Sequence, residues 1–368
     1  MKKTEIDYSV GFFDEYFEYD YLNEKRTIGY RCYYPSQEIK ESSEKFITKV
    51  ELDLVKMDNP QSPFISIYEN LKDIDTETFE GLELFTDLSK YKVIIFNPGY
   101  NNIFSANISE VKHLVKNGYI VLTILRKGES YCTKAKDQFY ARDKSITEPF
   151  LMELYNKMIE LPEYDSKMLF MNTWSLESMS EYVRKCEIAE QRLMIWKEDI
   201  IQTFNKLCSI SLEKNHFLFN SFHTDSYATF GNSFGGVASL MAALYDSRIK
   251  ASINFDGWVF GGALQNEILK SNALFICNNK RYFEASCGVN NKNILNCVVP
   301  NVTNLMMNDL YILAYEEMKP FINLPNALPP KEMSVLFNDL ILNFIDEHLS
   351  GKMNAFKVSL ERYQEYFI

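Results

Sequence analysis

Two mostly apolar runs, residues 92–97 and 119–125, flank a stretch with helical spacing of apolar residues at 105–117. The first run ends at Pro98-Gly99, and the helical stretch ends at Asn117-Gly118. Apolar runs of strand length are typical of parallel strands that are covered on both faces, and a glycine often follows the last turn of a helix. This order predicts a βαβ unit, which restricts the chain to an α/β architecture.

The same alternation continues along the chain. Further strands are predicted at 28–35, 47–55, 226–230, 251–255, 273–277 and 294–299. Helices are predicted at 176–208, 234–245 and 332–349. We therefore expect one α/β domain over 1–368 with a mostly parallel, doubly wound sheet. Residues 131–175 are rich in charge, methionine and aromatic residues, and we expect them to form a helical, lid-like insertion over the carboxyl ends of the strands.

The composition is that of an ordinary globular protein, with 46% hydrophobic and 24% charged residues, which excludes a wholly disordered chain. The 39 basic and 50 acidic residues give a net charge of −11, which disfavours non-specific binding to nucleic acid. The sequence has no apolar run long enough to span a membrane, and no apolar segment follows its N-terminal lysines. We expect a cytoplasmic protein that is not an integral membrane protein. Its oligomeric state is left open.

The seven cysteines are scattered and form neither a CxxC pair nor a cluster with histidine. Such cysteines are typically reduced, buried thiols. We expect neither a metal site nor a cofactor.

Residues 231–236 read Gly-Asn-Ser-Phe-Gly-Gly and fit the pattern G-x-S-x-G between a predicted strand and a predicted helix. In a nucleophile elbow this pattern exposes the serine on a sharp turn at the head of a helix, where the helix N-terminus favours negative charge. The motif alone is weak, and a turn that serves only packing would look the same. Its context between strand and helix makes Ser233 a candidate nucleophile.

Two further elements complete the hydrolase layout. The turn at 96–101 follows a buried strand, and in this layout it supplies one backbone N–H of the oxyanion hole, while the residue after the serine supplies the other. Those donors would be Tyr100 and Phe234. Asp256 ends the next strand, 23 residues after Ser233, where an acid that orients a histidine is expected. An ordinary turn and a capping aspartate remain alternatives for these two elements.

Gly-x-Ser-Phe-Gly-Gly followed 23 residues later by Asp-x-Trp-x-Phe resembles the platelet-activating-factor acetylhydrolase-like branch of the α/β-hydrolases. The similarity extends from residues 31–35 to residues 346–351, and the insertion is poorly matched. The resemblance implies an α/β-hydrolase fold and cleavage of short-chain esters by a Ser-His-Asp triad without a metal. It also implies that Ser233 is the nucleophile, Asp256 the triad acid, and Tyr100 and Phe234 the oxyanion donors.

The histidine of this family lies in a stretch like His-x-x-Phe-x-Asp after the last strand. Here the corresponding stretch, 304–309, reads Asn-Leu-Met-Met-Asn-Asp, so Asn304 occupies the histidine position. An amide has no pKa near neutrality and cannot accept the serine proton. The chain has four histidines, at positions 113, 216, 223 and 348, and each is more consistent with a surface or packing role.

Three interpretations follow. The first is a serine hydrolase that acts on an ester, thioester or amide of an apolar or peptide-like substrate, with Asp309, a lid residue or the substrate as its base. The second is a scaffold adapted to isomerisation, cyclisation or acyl transfer, and the third is a non-catalytic binding protein. Trp258 is a candidate substrate-binding residue in each. We expect it to line an apolar, aromatic cleft with Phe260, Phe234, Tyr100 and the segment 168–174.

Overall fold

A computed structural model describes residues 8–86, 90–162, 174–287, 291–322, 324 and 326–368. The strands are β1 (Ser9–Tyr21), β2 (Glu24–Ser36), β3 (Thr78–Glu80), β4 (Tyr91–Asn97), β5 (Tyr119–Arg126), β6 (Cys132–Ala135), β7 (Gln138–Ala141), β8 (Phe222–Asn232), β9 (Ile249–Phe255), β10 (Asn272–Cys277) and β11 (Ile294–Val298). The helices are α1 (Lys49–Asp58), α2 (Ile65–Leu71), α3 (Ile108–Lys116), α4 (Lys144–Ile159), α5 (Leu176–Lys185), α6 (Glu187–Ile210), α7 (Phe234–Tyr245), α8 (Ala263–Asn266), α9 (Lys280–Cys287), α10 (Asp309–Leu313), α11 (Tyr315–Met318), α12 (Pro330–His348) and α13 (Ala355–Arg362).

Nine of these strands form one sheet in the order β11-β10-β9-β8-β4-β5-β2-β1-β3. The strands from β11 to β5 are parallel to their neighbours, whereas β2 is antiparallel to both β5 and β1. Alternate residues of β4 enter two cores, with Val93 and Ile95 on one face and Ile94 and Phe96 on the other. Helices α6 and α7 cover the first face, and α3 and α12 cover the second. The predicted doubly wound, mostly parallel sheet is confirmed.

The strand predicted at 47–55 is wrong, because this segment forms helix α1. Thr48 caps the helix by accepting a hydrogen bond from the N–H of Glu51 (3.3 Å), and the Glu51 carboxylate accepts one from the N–H of Thr48 (2.8 Å). This reciprocal capping box satisfies two donors that would otherwise be unpaired at the start of the helix. A Thr-x-x-Glu pattern outweighs the β-prone residues that follow it.

The single helix predicted at 176–208 is two helices, α5 and α6, separated at Cys186, where φ is −86° and ψ is 79°. The carboxylate of Glu153, on α4, accepts hydrogen bonds from the N–H groups of Ile188 (2.9 Å) and Ala189 (3.0 Å). A helix can begin here because a side chain from another helix satisfies the free N–H groups of its first turn. Local periodicity carries no signal of such a distant partner.

The segment predicted as a helical insertion, 131–175, begins with the antiparallel hairpin β6–β7 and continues as α4. Residues 163–173 of this insertion lie outside the described residues. The assignment of 1–368 to a single domain stays a prediction. No helix in the described ranges has the length and apolar character needed to cross a membrane.

Candidate active site

Ser233 lies between β8 and α7 with φ 52° and ψ −126°, a backbone conformation that a residue with a side chain rarely adopts. The glycines around it allow the strand and helix to approach closely. A Cβ atom at Gly231 would lie 2.6 Å from the nitrogen of Gly236, and one at Gly235 would lie 2.5 Å from the oxygen of Pro98. The strand–turn–helix context expected of the motif is therefore present, and Ser233 stands at the head of α7.

The Gly235→Ala variant is expected to unfold at a lower urea concentration, with a loss of about 3 kcal/mol or more, because its methyl group would press on main-chain oxygens that cannot move independently. Gly118→Ala is a suitable control, since Gly118 has a φ of 88° but no atom within 4 Å of its Cβ position. The control should lose only the cost of left-handed backbone, about 1–2 kcal/mol. Equal losses in the two variants would contradict the argument from close approach.

Asp256 follows β9 directly and is brought next to the serine turn. The N–H of Ser233 donates to the oxygen of Phe255 (2.7 Å), and the N–H of Asp256 donates to the oxygen of Ile276 (2.8 Å). Burial raises the pKa of the Asp256 carboxyl to about 7, although hydrogen bonds from the side chain of Asn304 and the N–H of Asn278 oppose the rise. Its Oδ1 atom has no hydrogen-bond partner among the described residues. A buried carboxyl with a free oxygen therefore lies at this end of the sheet.

The loop after β11 brings Asn304 to Asp256, as Nδ2 of Asn304 lies 3.3 Å from the main-chain oxygen of Asp256. The loop is held by the oxygen of Met307, which accepts hydrogen bonds from the side-chain amides of Asn107 (3.1 Å) and of Asn232, the residue before the serine. The structure thus brings Asn304, Asp256 and the serine turn together.

Asp309, the alternative base, ends this loop and is buried against the first turn of α3. Its carboxylate accepts hydrogen bonds from the N–H of Ser109 (2.9 Å) and from the Ser109 hydroxyl. Carboxylates are favoured at a helix N-terminus, so these contacts give Asp309 a structural role in closing the loop.

Glu110 lies beside Asp309 and is also buried, and its Oε2 atom has no hydrogen-bond partner within the described part of the chain. Burial and the negative charge of Asp309 raise the pKa of Glu110. Because Asp309 holds the hydrogen bonds from Ser109, Glu110 is the member of the pair that keeps a proton.

A carboxyl whose pKa is raised by folding binds its proton more tightly in the folded chain. Its contribution to stability is complete below the ordinary pKa near 4 and is lost as the pH rises toward the raised value. Glutamine is neutral at every pH, so the free energy of unfolding of Glu110→Gln should fall less between pH 5 and pH 8 than that of the wild-type protein. At pH 8 we expect it to be about 1–3 kcal/mol higher than in the wild-type protein. Urea titrations at pH 5 and pH 8 test this, with the exposed Glu361→Gln as control. The prediction is refuted if the free energy of unfolding changes between pH 5 and pH 8 by the same amount in Glu110→Gln and in the wild-type protein.

All four histidines lie within the described residues, and their contacts place them away from the serine turn. His113 is on α3 and faces Asp339 and Asp346 of α12, and His348 packs on Phe344 of α12. His216 accepts a hydrogen bond from the N–H of Leu218. His223 lies 3.8 Å from Asp225 at the amino end of β8. In the described ranges, no side chain forms a hydrogen bond with the Ser233 hydroxyl. The structure therefore brings no histidine to Ser233 or Asp256.

The turn that contains Tyr100 lies against the serine, since a Cβ atom at Gly99 would be 3.3 Å from the Cβ of Ser233. Within the described ranges, the N–H groups of Tyr100 and Phe234 donate no hydrogen bond to another residue. One of these groups starts α7, where the helix dipole favours an anion. Two free donors beside a serine can stabilise the oxyanion of a tetrahedral intermediate.

Aromatic side chains surround this turn. The Trp196 ring stacks on Tyr100 (centroids 5.5 Å apart) and meets the Phe234 ring at 83° (4.9 Å). Phe150, from α4, packs against the same two rings at 4.6 and 5.1 Å. Helix α4 therefore covers the serine end of the sheet. Trp196 and Phe150 were not identified from the sequence, although Trp196 lies on the apolar face of a predicted helix.

Trp258, the predicted substrate-binding residue, packs among the rings of Tyr282 (3.9 Å), Tyr182 (5.5 Å) and Trp174 (5.8 Å). Phe260, another predicted wall residue, lies 6.2 Å from the Phe234 ring. The remaining predicted wall, 168–173, lies outside the described residues. In the ranges that the structure describes, no group of three histidine, cysteine, aspartate or glutamate side chains is arranged to hold a metal ion.

Residues 1–355 match the family model described as platelet-activating factor acetylhydrolase, isoform II. The chain belongs to this family. The match covers both the serine motif and Asp256, so the resemblance inferred from these residues is confirmed. Membership of the acetylhydrolase family indicates an esterase-type hydrolase that acts on a small molecule.

The fold of this acetylhydrolase family member is also found in a ferulic acid esterase from Streptomyces cinnamoneus. The two chains share 14% sequence identity with a TM-score of 0.66, over 95% of this chain and 92% of that one. At this identity the likeness establishes the α/β-hydrolase fold alone. No curated protein sequence matches the chain significantly.

Proposed function

We propose that this protein is a serine esterase that cleaves an ester, thioester or amide of an apolar or peptide-like small molecule through Ser233. The observation that carries the proposal is the strained serine at the head of α7 beside two N–H groups, of Tyr100 and Phe234, that donate to no other described residue. A negative charge that develops on the substrate oxygen would be stabilised there.

In the proposed reaction, the Ser233 hydroxyl oxygen attacks the acyl carbon of the substrate, and the bond to the leaving group breaks. The proton of the serine passes to the leaving group, which departs as an alcohol, thiol or amine. Water then attacks the acyl-serine, which releases the acid and restores the hydroxyl. The aromatic rings of Trp258 and Phe234 would bind the apolar part of the substrate.

The serine proton needs an acceptor, and Asn304 cannot be one. Asp256 is a candidate, since its carboxyl has a free oxygen and a pKa of about 7. We propose that Asp256 accepts the proton through a water molecule, a route that a pKa near the working pH favours.

If Asp256 accepts the proton, kcat/KM for p-nitrophenyl acetate should rise with pH through about 7, because only the ionised carboxylate is a base. Asp256→Asn should lower the plateau and abolish this rise. A rise of the same size in the variant would show that another group is the base.

The experiment that tests the function is labelling with a fluorophosphonate, followed by mass spectrometry of the peptide that contains Ser233. We expect one adduct, on Ser233, and none in Ser233→Ala. Labelling at another residue would overturn the assignment. Absence of both labelling and ester turnover would favour the non-hydrolytic or binding interpretations.

A further inference from the structure

Four charged side chains are buried together beneath the candidate oxyanion hole: Arg26, Arg126, Glu129 and Asp199, which we call the buried charge cluster. Asp199 accepts hydrogen bonds from Arg26 (2.9 Å) and Arg126 (2.6 Å), and Arg26 pairs with Glu129 (2.7 Å). The two positive and two negative charges of these four side chains balance, and the more exposed Arg192 also lies 3.4 Å from Glu129. The cluster joins strands β2 and β5 to helix α6 and to the turn after β5.

Stability alone does not account for these charges. Each ion loses its hydration on burial, and apolar side chains of similar volume often replace such clusters with no loss of stability. Such a cluster can instead position neighbouring groups, and its contacts show which groups these would be.

The first connection to the site runs through Asn97, the last residue of β4 and the start of the turn that contains Tyr100. Nη2 of Arg126 donates to Oδ1 of Asn97 (3.0 Å). Nδ2 of Asn97 donates to the hydroxyl of Ser239 (3.1 Å), which in turn donates to the oxygen of Gly235 in the first turn of α7. Arg126 thus orients an amide that links the Tyr100 turn to the serine helix.

The second connection runs through Trp196. Its indole N–H donates to Glu129 (2.6 Å), and the guanidinium carbon of Arg126 lies 3.7 Å from the ring centroid. The same ring packs on both Tyr100 and Phe234. The side chains of both residues whose N–H groups form the candidate oxyanion hole therefore rest on a ring held by the cluster.

We infer that Arg126 is a positioning residue for the oxyanion hole: it fixes the N–H groups of Tyr100 and Phe234 relative to Ser233 through Asn97 and Trp196. The inference rests on the proposed function of Ser233. The planar guanidinium suits this task because it binds Asp199 and Asn97 with separate nitrogens while lying on an aromatic ring, a combination that lysine cannot reproduce.

The test is Arg126→Lys, which keeps the charge but loses the planar fork. We expect kcat for p-nitrophenyl acetate and the rate constant for fluorophosphonate labelling of Ser233 each to fall on the order of tenfold or more, with KM changed less than about twofold. Arg248→Lys is the matched control, since Arg248 also forms hydrogen bonds with an aspartate, Asp246, and an asparagine, Asn205, but at the amino end of β9. It should leave both rates unchanged. Unchanged rates in a folded Arg126→Lys, or an equal fall in the control, would overturn the inference.

Two further measurements keep the outcome decisive. If Arg126→Lys does not fold, Asn97→Ala removes the link to the turn while Arg126 keeps its contact with Asp199, and the same fall in rate is expected.

The amide resonances of Tyr100 and Phe234 in a two-dimensional NMR spectrum should shift in the Arg126 or Asn97 variant but not in Arg248→Lys. These resonances need no active enzyme. If the resonances shift in the variant but fluorophosphonate does not label the wild-type protein, the proposed function is rejected and the positioning role is kept. Resonances that do not shift in the variant would reject the positioning role.

Discussion

Asn304→Gln should leave the hydrolysis of p-nitrophenyl acetate unchanged, whereas Asn304→His should raise its kcat/KM about 10²–10⁴-fold, the usual contribution of a positioned general base. The side chain of residue 304 already lies beside Asp256, and the Met307 oxygen bound by Asn232 holds the loop in place. An imidazole at 304 can therefore donate one N–H to Asp256 and accept the serine proton with its other nitrogen.

The glutamine variant is the matched control because it lengthens the side chain without adding a basic nitrogen. A wild-type rate already typical of serine esterases would contradict the argument, since it would mean that a base as efficient as a triad histidine is already at work. So would a histidine variant that folds normally and gains no activity. In the histidine variant, kcat/KM should also rise with pH through the imidazole pKa.

Ser233→Ala is expected to lose covalent labelling completely, but its effect on turnover should depend on the residue at 304. The members of a catalytic triad act as a unit, so removing the serine costs little while its only proton acceptor is Asp256, which acts through a water molecule. We expect Ser233→Ala to lower ester hydrolysis modestly in the wild-type protein and by about 10²–10⁴-fold in the Asn304→His background.

The four combinations of wild-type and variant residues at 233 and 304 form a double-mutant cycle, and steady-state kinetics on all four measure the coupling. Additive effects would mean that the two side chains do not cooperate. A loss of 10²-fold or more from Ser233→Ala with Asn304 present would show that the native protein has an efficient base of its own. The pH profile of Asp256→Asn would then identify whether Asp256 is that base.

The parts of the fold predicted well are those specified locally. The helix predicted at 234–245 coincides with α7, because the serine motif precedes it and most of its residues are apolar. The mostly apolar runs at 92–97 and 119–125 predict strands β4 and β5. The error at 47–55 was also local, since the Thr48–Glu51 capping box is readable in the sequence. The break at Cys186 was not, because the cap comes from Glu153 of another helix.

The candidate site likewise has parts that short sequence motifs predict and parts that depend on residues far apart in the sequence. Ser233, Asp256 and Asn304 follow motifs of a few residues, and the structure brings their segments together, while their catalytic roles stay predictions. The buried charge cluster could not be predicted, because Arg26 and Arg126 are 173 and 73 residues from Asp199 in the sequence. The only local signal was an arginine directly after the apolar run of β5 and an aspartate within the apolar face of α6.

The loop that carries Asn304 is held by contacts that do not involve the Asn304 side chain: the Met307 oxygen on two asparagines and the Asp309 carboxylate on α3. These contacts hold the main chain at residue 304 in place whichever side chain the residue carries. Asparagine and histidine codons differ only in their first base, so a lineage can lose or regain an imidazole here by a point mutation without rebuilding the loop. Such a site would let a hydrolase change between a fast and a slow form by one substitution, with the rest of the loop unchanged.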